Sequence, residues 1–123
     1  MNQNVKRAVL SALTLATASL TPATTFPASA INIVQCGPSD YLKVTFHIGT
    51  SSDRIDRCFA NAGEVAIGRP NQNVWVDQIS TGNNRVQWYG DGRWQPNQPI
   101  NKWTIFNWPN HPGGVRLDRI RIL

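Results

Sequence analysis

The stretch Trp75–Tyr89 reads WVDQISTGNNRVQWY, and it decides how the rest of the chain is interpreted. Both ends are rich in β-branched and aromatic residues, which suit a pleated, half-buried surface. Between them Ser80–Asn84 supplies five turn-forming residues in a row. Gly and Asn tolerate positive φ, and Ser, Thr and Asn side chains bond to nearby backbone. The pattern predicts two strands joined by a polar loop, either as a β-hairpin or as a β-arch.

The cleanest strand pattern elsewhere lies at Tyr41–Ile48, where apolar and polar residues alternate. A period of two is typical of a strand with one buried face. The apolar positions are Leu42, Val44, Phe46 and Ile48, and the polar positions are Tyr41, Lys43, Thr45 and His47. We therefore expect His47 on the surface and without a role.

Shorter strand-like runs fill the remaining chain. Ile31–Gln35 is expected to form an edge strand, and Arg54–Ala60 with Glu64–Ile67 to form a hairpin. Pro96 and Pro99 exclude a long strand from a sheet interior in their region. In Val115–Leu123 the apolar positions change parity, which predicts a bulge or turn near Asp118. Because no stretch sustains helical periodicity, the prediction is an all-β sandwich or small barrel.

The N-terminal 30 residues have the organisation of a secretory signal peptide. Lys6 and Arg7 precede an uncharged apolar run, Ala8–Leu20, and Ala28-Ser29-Ala30 offers a cleavage site. The alternative is a membrane anchor, although the run is short for a transmembrane helix. We therefore expect residues 1–30 to be removed, leaving one secreted, extracellular domain of 93 residues, 31–123.

Both cysteines, Cys36 and Cys58, lie in the expected mature domain. An even cysteine count in an exported chain indicates a disulfide. Closing a loop of this length stabilises the fold by about 3 kcal/mol in the chain-entropy model. A metal site is not indicated at either cysteine, because no second cysteine or histidine lies at ligand spacing around it.

The charge and the motifs exclude several function classes. The mature domain carries ten basic and seven acidic side chains, so its net charge is +3. The basic residues are scattered, which does not indicate nucleic-acid binding. The sequence has no nucleophile motif, phosphate-binding loop or zinc spacing, and we expect no catalytic residues. The expected oligomeric state is a monomer.

Tryptophans are the most distinctive residues of the mature domain. An aromatic ring can stack on a sugar ring while amides bond the sugar hydroxyls. Trp88, Tyr89 and Trp94, with Gln95 beside them, suit such a ligand-binding surface. The alternative, favoured for most of these rings, is that they fill the core of a short chain.

The central loop also holds the only candidate metal site. Asp77 and Ser80, with nearby backbone carbonyls, offer the hard oxygen ligands that calcium prefers. A turn with one carboxylate and one hydroxyl is the alternative interpretation.

At this loop the chain resembles a known family. The segment Val76–Asn84, VDQISTGNN, combines with the cysteine pair, Cys58–Gly63 and the terminal RIRIL. In this combination the chain is similar to the secreted βγ-crystallin-type proteins called the Streptomyces killer toxin-like group. That resemblance implies one βγ-crystallin domain, with two Greek-key motifs forming a two-sheet sandwich. It also implies growth inhibition of yeasts and filamentous fungi.

The same resemblance bears on calcium. The wider family uses a motif of two Asn or Asp, two variable residues, Ser or Thr, and Ser. Val76–Thr81 matches in part, with Asp77 and Ser80 as the implied ligands. A second copy falls at Leu117–Ile122, where Arg121 occupies the hydroxyl position. A cation there repels calcium, so the second site is expected to be lost.

Three functions follow, in order of preference. The first is a secreted antifungal protein that acts without catalysis on a target-cell surface or its wall polysaccharide. The second is a calcium-binding structural module. The third is a proteinase inhibitor, for which Gly68–Asn73 or Pro109–Gly114 could serve as the rigid exposed loop.

Overall fold

The computed structural model describes residues 30–123, which fold into two antiparallel β-sheets. The predicted signal peptide lies outside the described residues, apart from Ala30. The described strands are β1 Asn32–Val34, β2 Leu42–Ile48, β3 Ile55–Ala60, β4 Gly63–Ala66, β5 Val74–Ser80, β6 Val86–Gly90, β7 Arg93–Ile100, β8 Ile105–Asn107, β9 Val115–Arg116 and β10 Arg119–Ile122. The all-β prediction is confirmed.

One sheet has six strands and the other has four. The larger sheet runs in the order β1-β3-β2-β5-β8, with β9 also paired to β5. The smaller sheet runs β4-β10-β6-β7. Strands that follow one another in the chain therefore often lie in different sheets.

The central stretch is a β-arch, not a β-hairpin. The arch itself is the connection between β5 and β6, residues 81–85. The first strand of the stretch, β5, lies in the larger sheet, and its second, β6, lies in the smaller one. The hairpin expected from Arg54–Ala60 and Glu64–Ile67 is wrong for the same reason, since β3 and β4 belong to different sheets. β3 is already paired on both sides, by β1 and β2, so it has no free edge for β4.

The parity change at the C-terminus marks another crossing between the sheets. β9 pairs with β5 in the larger sheet, whereas β10 pairs with β4 and β6 in the smaller one. The two strands are separated by Leu117 and Asp118, and Leu117 is fully buried. The predicted turn near Asp118 is thus confirmed.

The prolines lie where the backbone can accommodate them. β7 is eight residues long and includes Pro96 and Pro99, but it is an edge strand of the smaller sheet. An edge strand needs ladder hydrogen bonds on only one side, so it tolerates residues without an N–H.

The core lies between the sheets and takes residues from both. β2 contributes Leu42, Val44 and Phe46, as the alternating pattern predicts. The other largest fully buried side chains are Phe59, Ile79, Leu117, Ile120, Val74, Val76 and Val86, with Thr81. The predicted Cys36–Cys58 disulfide is present and ties the segment after β1 to β3. None of the elements in residues 30–123 is a helix capable of spanning a membrane.

Candidate functional site

The outer face of the four-stranded sheet gathers aromatic and basic side chains. On β10, Ile120 and Ile122 are buried, so Arg119 and Arg121 point the other way, because strand side chains alternate. On β6 the same alternation places Gln87 and Tyr89 on the outer face. Tyr89 lies opposite Trp94 of β7, which brings the second aromatic ring to that face.

These side chains form a connected network. The Arg121 guanidinium carbon lies 4.0 Å from the centre of the Trp94 ring. Arg121 also donates through Nε and Nη2 to Gln87 Oε1, at 3.0 and 2.6 Å. Gln87 Nε2 in turn donates to the Pro96 carbonyl at 2.7 Å. The Tyr89 and Trp94 rings meet edge to face at 5.2 Å.

We call Gln87, Tyr89, Trp94 and Arg121 the aromatic–arginine face. Tyr89, Trp94 and Arg121 each keep part of their surface in solvent. A guanidinium held over an aromatic ring combines an apolar plate with directed N–H donors. Such a surface suits a ligand that offers both C–H faces and hydroxyl or acidic oxygens.

Trp88 does not belong to this face, and its prediction as a surface residue is wrong. It is 4% exposed and packs in the core, with ring centres 5.6 Å from Phe106 and 5.1 Å from Trp108. Its Nε1 is buried without a hydrogen-bond partner. The period of two explains the error, because neighbours such as Trp88 and Tyr89 cannot lie on the same face of one strand.

Asp77 lies at an irregularity of the larger sheet. Thr45 pairs with Gln78 but Phe46 pairs with Val76, so Asp77 is the extra residue of a β-bulge. Its Oδ2 lies 2.8 Å from His47 Nδ1 and forms an ion pair with Arg54, whose Nε lies 3.0 Å away. The carboxylate therefore already has two protein partners.

The expectation that His47 is a surface residue without a role is wrong. His47 is only 7% exposed, and it lies opposite Trp75 of β5. The bulge supplies the acidic partner, 30 positions away in sequence, that no local pattern could indicate.

Ser80 lies elsewhere on the same sheet. It pairs with Lys43 across the β2–β5 ladder, and it lines a cavity of about 320 Å³ together with Lys43 and Asp56. Each of the two residues predicted to bind calcium thus has a basic residue nearby. Among residues 30–123 there is no cluster of three or more His, Cys, Asp or Glu side chains that could hold a metal.

Thr81, the next motif position, is committed to the fold. It is fully buried, its hydroxyl donates to the Asn101 carbonyl at 2.8 Å, and it accepts from the Thr104 N–H at 2.9 Å. Its backbone N–H donates to the Thr104 carbonyl at 2.9 Å. These bonds attach the segment after β7 to the start of the arch.

Sequence reasoning missed Arg121 and Gln87 as members of a site. The signal was present in the alternation of RIRI, where two isoleucines bury one face and two arginines form the other. What it lacked was the pairing of β10 with β6, which places Arg121 opposite Gln87.

Comparison with protein families agrees with this architecture. A family model described as Beta/Gamma crystallin matches residues 45–121. The chain belongs to the βγ-crystallin family. No curated protein and no solved structure gave a significant match to this βγ-crystallin chain.

Proposed function

We propose that this βγ-crystallin is a secreted, killer-toxin-like antifungal protein that binds wall polysaccharide of yeast or fungal cells without catalysis. The observation that carries the proposal is the aromatic–arginine face. Trp94 and Tyr89 offer apolar ring surface, and Arg121 offers directed donors beside it. A polysaccharide presents the complementary pattern of C–H faces and hydroxyl oxygens.

The network makes this face rigid before any ligand arrives. Arg121 is held by two hydrogen bonds to Gln87, and Gln87 is held by the Pro96 carbonyl. A side chain that is already ordered loses less conformational entropy when it binds. Pre-organisation of this kind supports the use of the face as a ligand-binding surface.

The test compares two tryptophan variants in binding to isolated yeast wall polysaccharide. Trp94→Ala should weaken binding by about tenfold or more, as expected for loss of a central aromatic contact. Trp75→Ala is the matched control, because Trp75 is also half-exposed but lies on the outer face of the other sheet. It should bind as the unmodified protein does.

Growth assays on yeasts and moulds complete the test. Inhibition that falls with Trp94→Ala and persists with Trp75→Ala would link the face to the activity. Equal loss in both variants would argue against this face, and absence of any growth effect across the panel would argue against the antifungal function.

A further inference from the structure

We propose that one end of the molecule docks on anionic lipid bilayers through an exposed apolar tip formed by Trp103, Ile105 and Leu123. Their exposed fractions are 64%, 64% and 51%. This site is separate from the aromatic–arginine face and goes beyond polysaccharide binding.

The three residues lie around the connection between β5 and β6, because the backbone of each pairs with that connection or with the end of β5. Val86 pairs with both Ile100 and Ile122, so the chain just beyond each of them lies beside the arch. The Leu123 N–H donates to the Arg85 carbonyl at 2.9 Å, and the Trp103 N–H donates to the Gly82 carbonyl at 2.6 Å.

Ile105 joins them through the other sheet. It pairs with Ser80, the last residue of β5, so it lies where the arch begins. The tip thus surrounds the arch and takes residues that are far apart in the sequence.

The backbone at Trp103 is held in an unfavourable conformation. Its φ is +60°, in the left-handed region that residues with a side chain rarely adopt. Thr81 fixes the segment on both sides of it, through Asn101 and Thr104. The fold therefore holds a large, exposed indole in a strained position, and such strain concentrates at functional sites.

The chemistry of the tip favours a lipid surface. Tryptophan partitions to the membrane–water interface, and the aliphatic Ile105 and Leu123 offer nothing to sugar hydroxyls. Lys102 and Arg85 are exposed beside the tip and can approach lipid phosphates. The expected mature domain, residues 31–123, carries a net charge of +3, which also favours an anionic surface.

The first test is co-sedimentation of the purified secreted protein, residues 31–123, with vesicles of equal parts phosphatidylcholine and phosphatidylglycerol. The protein should sediment with these vesicles and much less with pure phosphatidylcholine. Trp103→Asn should reduce the bound fraction by about tenfold or more, because the indole carries the largest apolar area of the tip. Asparagine tolerates the left-handed conformation, so the melting temperature should not fall.

Ile33 provides the matched control. It is 62% exposed, like Ile105, but β1 and β8 are opposite edges of the larger sheet. Ile105→Ala should weaken vesicle binding, and Ile33→Ala should leave it unchanged. Equal effects of the two substitutions would overturn the proposal.

Two other outcomes would also overturn it. One is failure to bind anionic vesicles. The other is a concentration-dependent dimer in sedimentation equilibrium that Trp103→Asn abolishes, since the tip would then be covered by a second copy.

The two proposals can fail separately. The Trp94→Ala variant should bind vesicles normally, and the Trp103→Asn variant should bind polysaccharide normally.

Discussion

Val76–Thr81 and Leu117–Ile122 are the two segments that resemble calcium motifs, and the structure uses them differently. The first segment ends β5 and enters the arch, whereas the second begins at a crossing and becomes β10. In the first, polar side chains bond to the rest of the fold, through Asp77 and Thr81. In the second, Arg121 points outward and lies over Trp94.

The comparison shows that two segments with a similar sequence pattern have different roles in the fold. In the first segment, the Asp77 carboxylate and the Thr81 hydroxyl already have protein partners. In the second segment, replacing the hydroxyl position by arginine places a cation on the outer face. The position that aligns with the hydroxyl of the calcium motif therefore carries a guanidinium that lies over the Trp94 ring.

The largest expected effect on stability concerns the second segment, where the chain crosses from β9 in the larger sheet to β10 in the smaller one. We call this the second crossing; the first is the arch between β5 and β6. Leu117 is fully buried at the second crossing, so Leu117→Ala should lower the free energy of unfolding by about 3–4 kcal/mol through the cavity it leaves. Leu123→Ala is the control, because Leu123 is 51% exposed. Urea denaturation measures both, and similar losses would contradict this view of the second crossing.

The next effect concerns the hydrogen bonds of the arch. Thr81→Val keeps the shape of the buried side chain but leaves the Asn101 carbonyl and the Thr104 N–H without their partner. The expected loss of unfolding free energy is about 2 kcal/mol. Thr50→Val, at an exposed turn, should change it little. If Thr81→Val lowers the free energy of unfolding no more than Thr50→Val does, the arch does not depend on this hydroxyl.

A smaller effect addresses calcium at the first segment, which stays a prediction. A calcium ion at Asp77 must compete with Arg54, whose side chain is 44% exposed and free to move away. Arg54→Gln should therefore tighten calcium binding by roughly two- to fivefold in titration calorimetry. Arg69→Gln makes the same charge change at another exposed arginine. Absence of heat with every protein would remove calcium as a ligand.

The smallest expected effect is the coupling free energy of an ion pair on the surface of the second crossing. Arg116 Nε and Asp118 Oδ1 are 3.1 Å apart, with both side chains more than one third exposed. A double-mutant cycle should give a coupling of about 0.2–1 kcal/mol that decreases with added salt. A larger, salt-independent coupling would mean that this ion pair, with the packing of Leu117, holds the crossing.

Local patterns predicted much of this architecture because strand periodicity and turn chemistry are short-range properties. The alternation of β2, the turn formers of the arch and the parity change near Asp118 were all readable from a few neighbouring residues. The disulfide required only the number of cysteines and the expected export. The family model then matched most of the same region.

By itself the sequence determined that the chain forms short strands, where the chain turns, and that Cys36 pairs with Cys58. Only the tertiary structure decided which strands share a sheet, because pairing joins residues distant along the chain. That pairing buried Trp88, gave His47 its acidic partner, and brought Arg121 to Trp94. It also placed the segments that carry Trp103, Ile105 and Leu123 beside one arch, although they are distant along the chain.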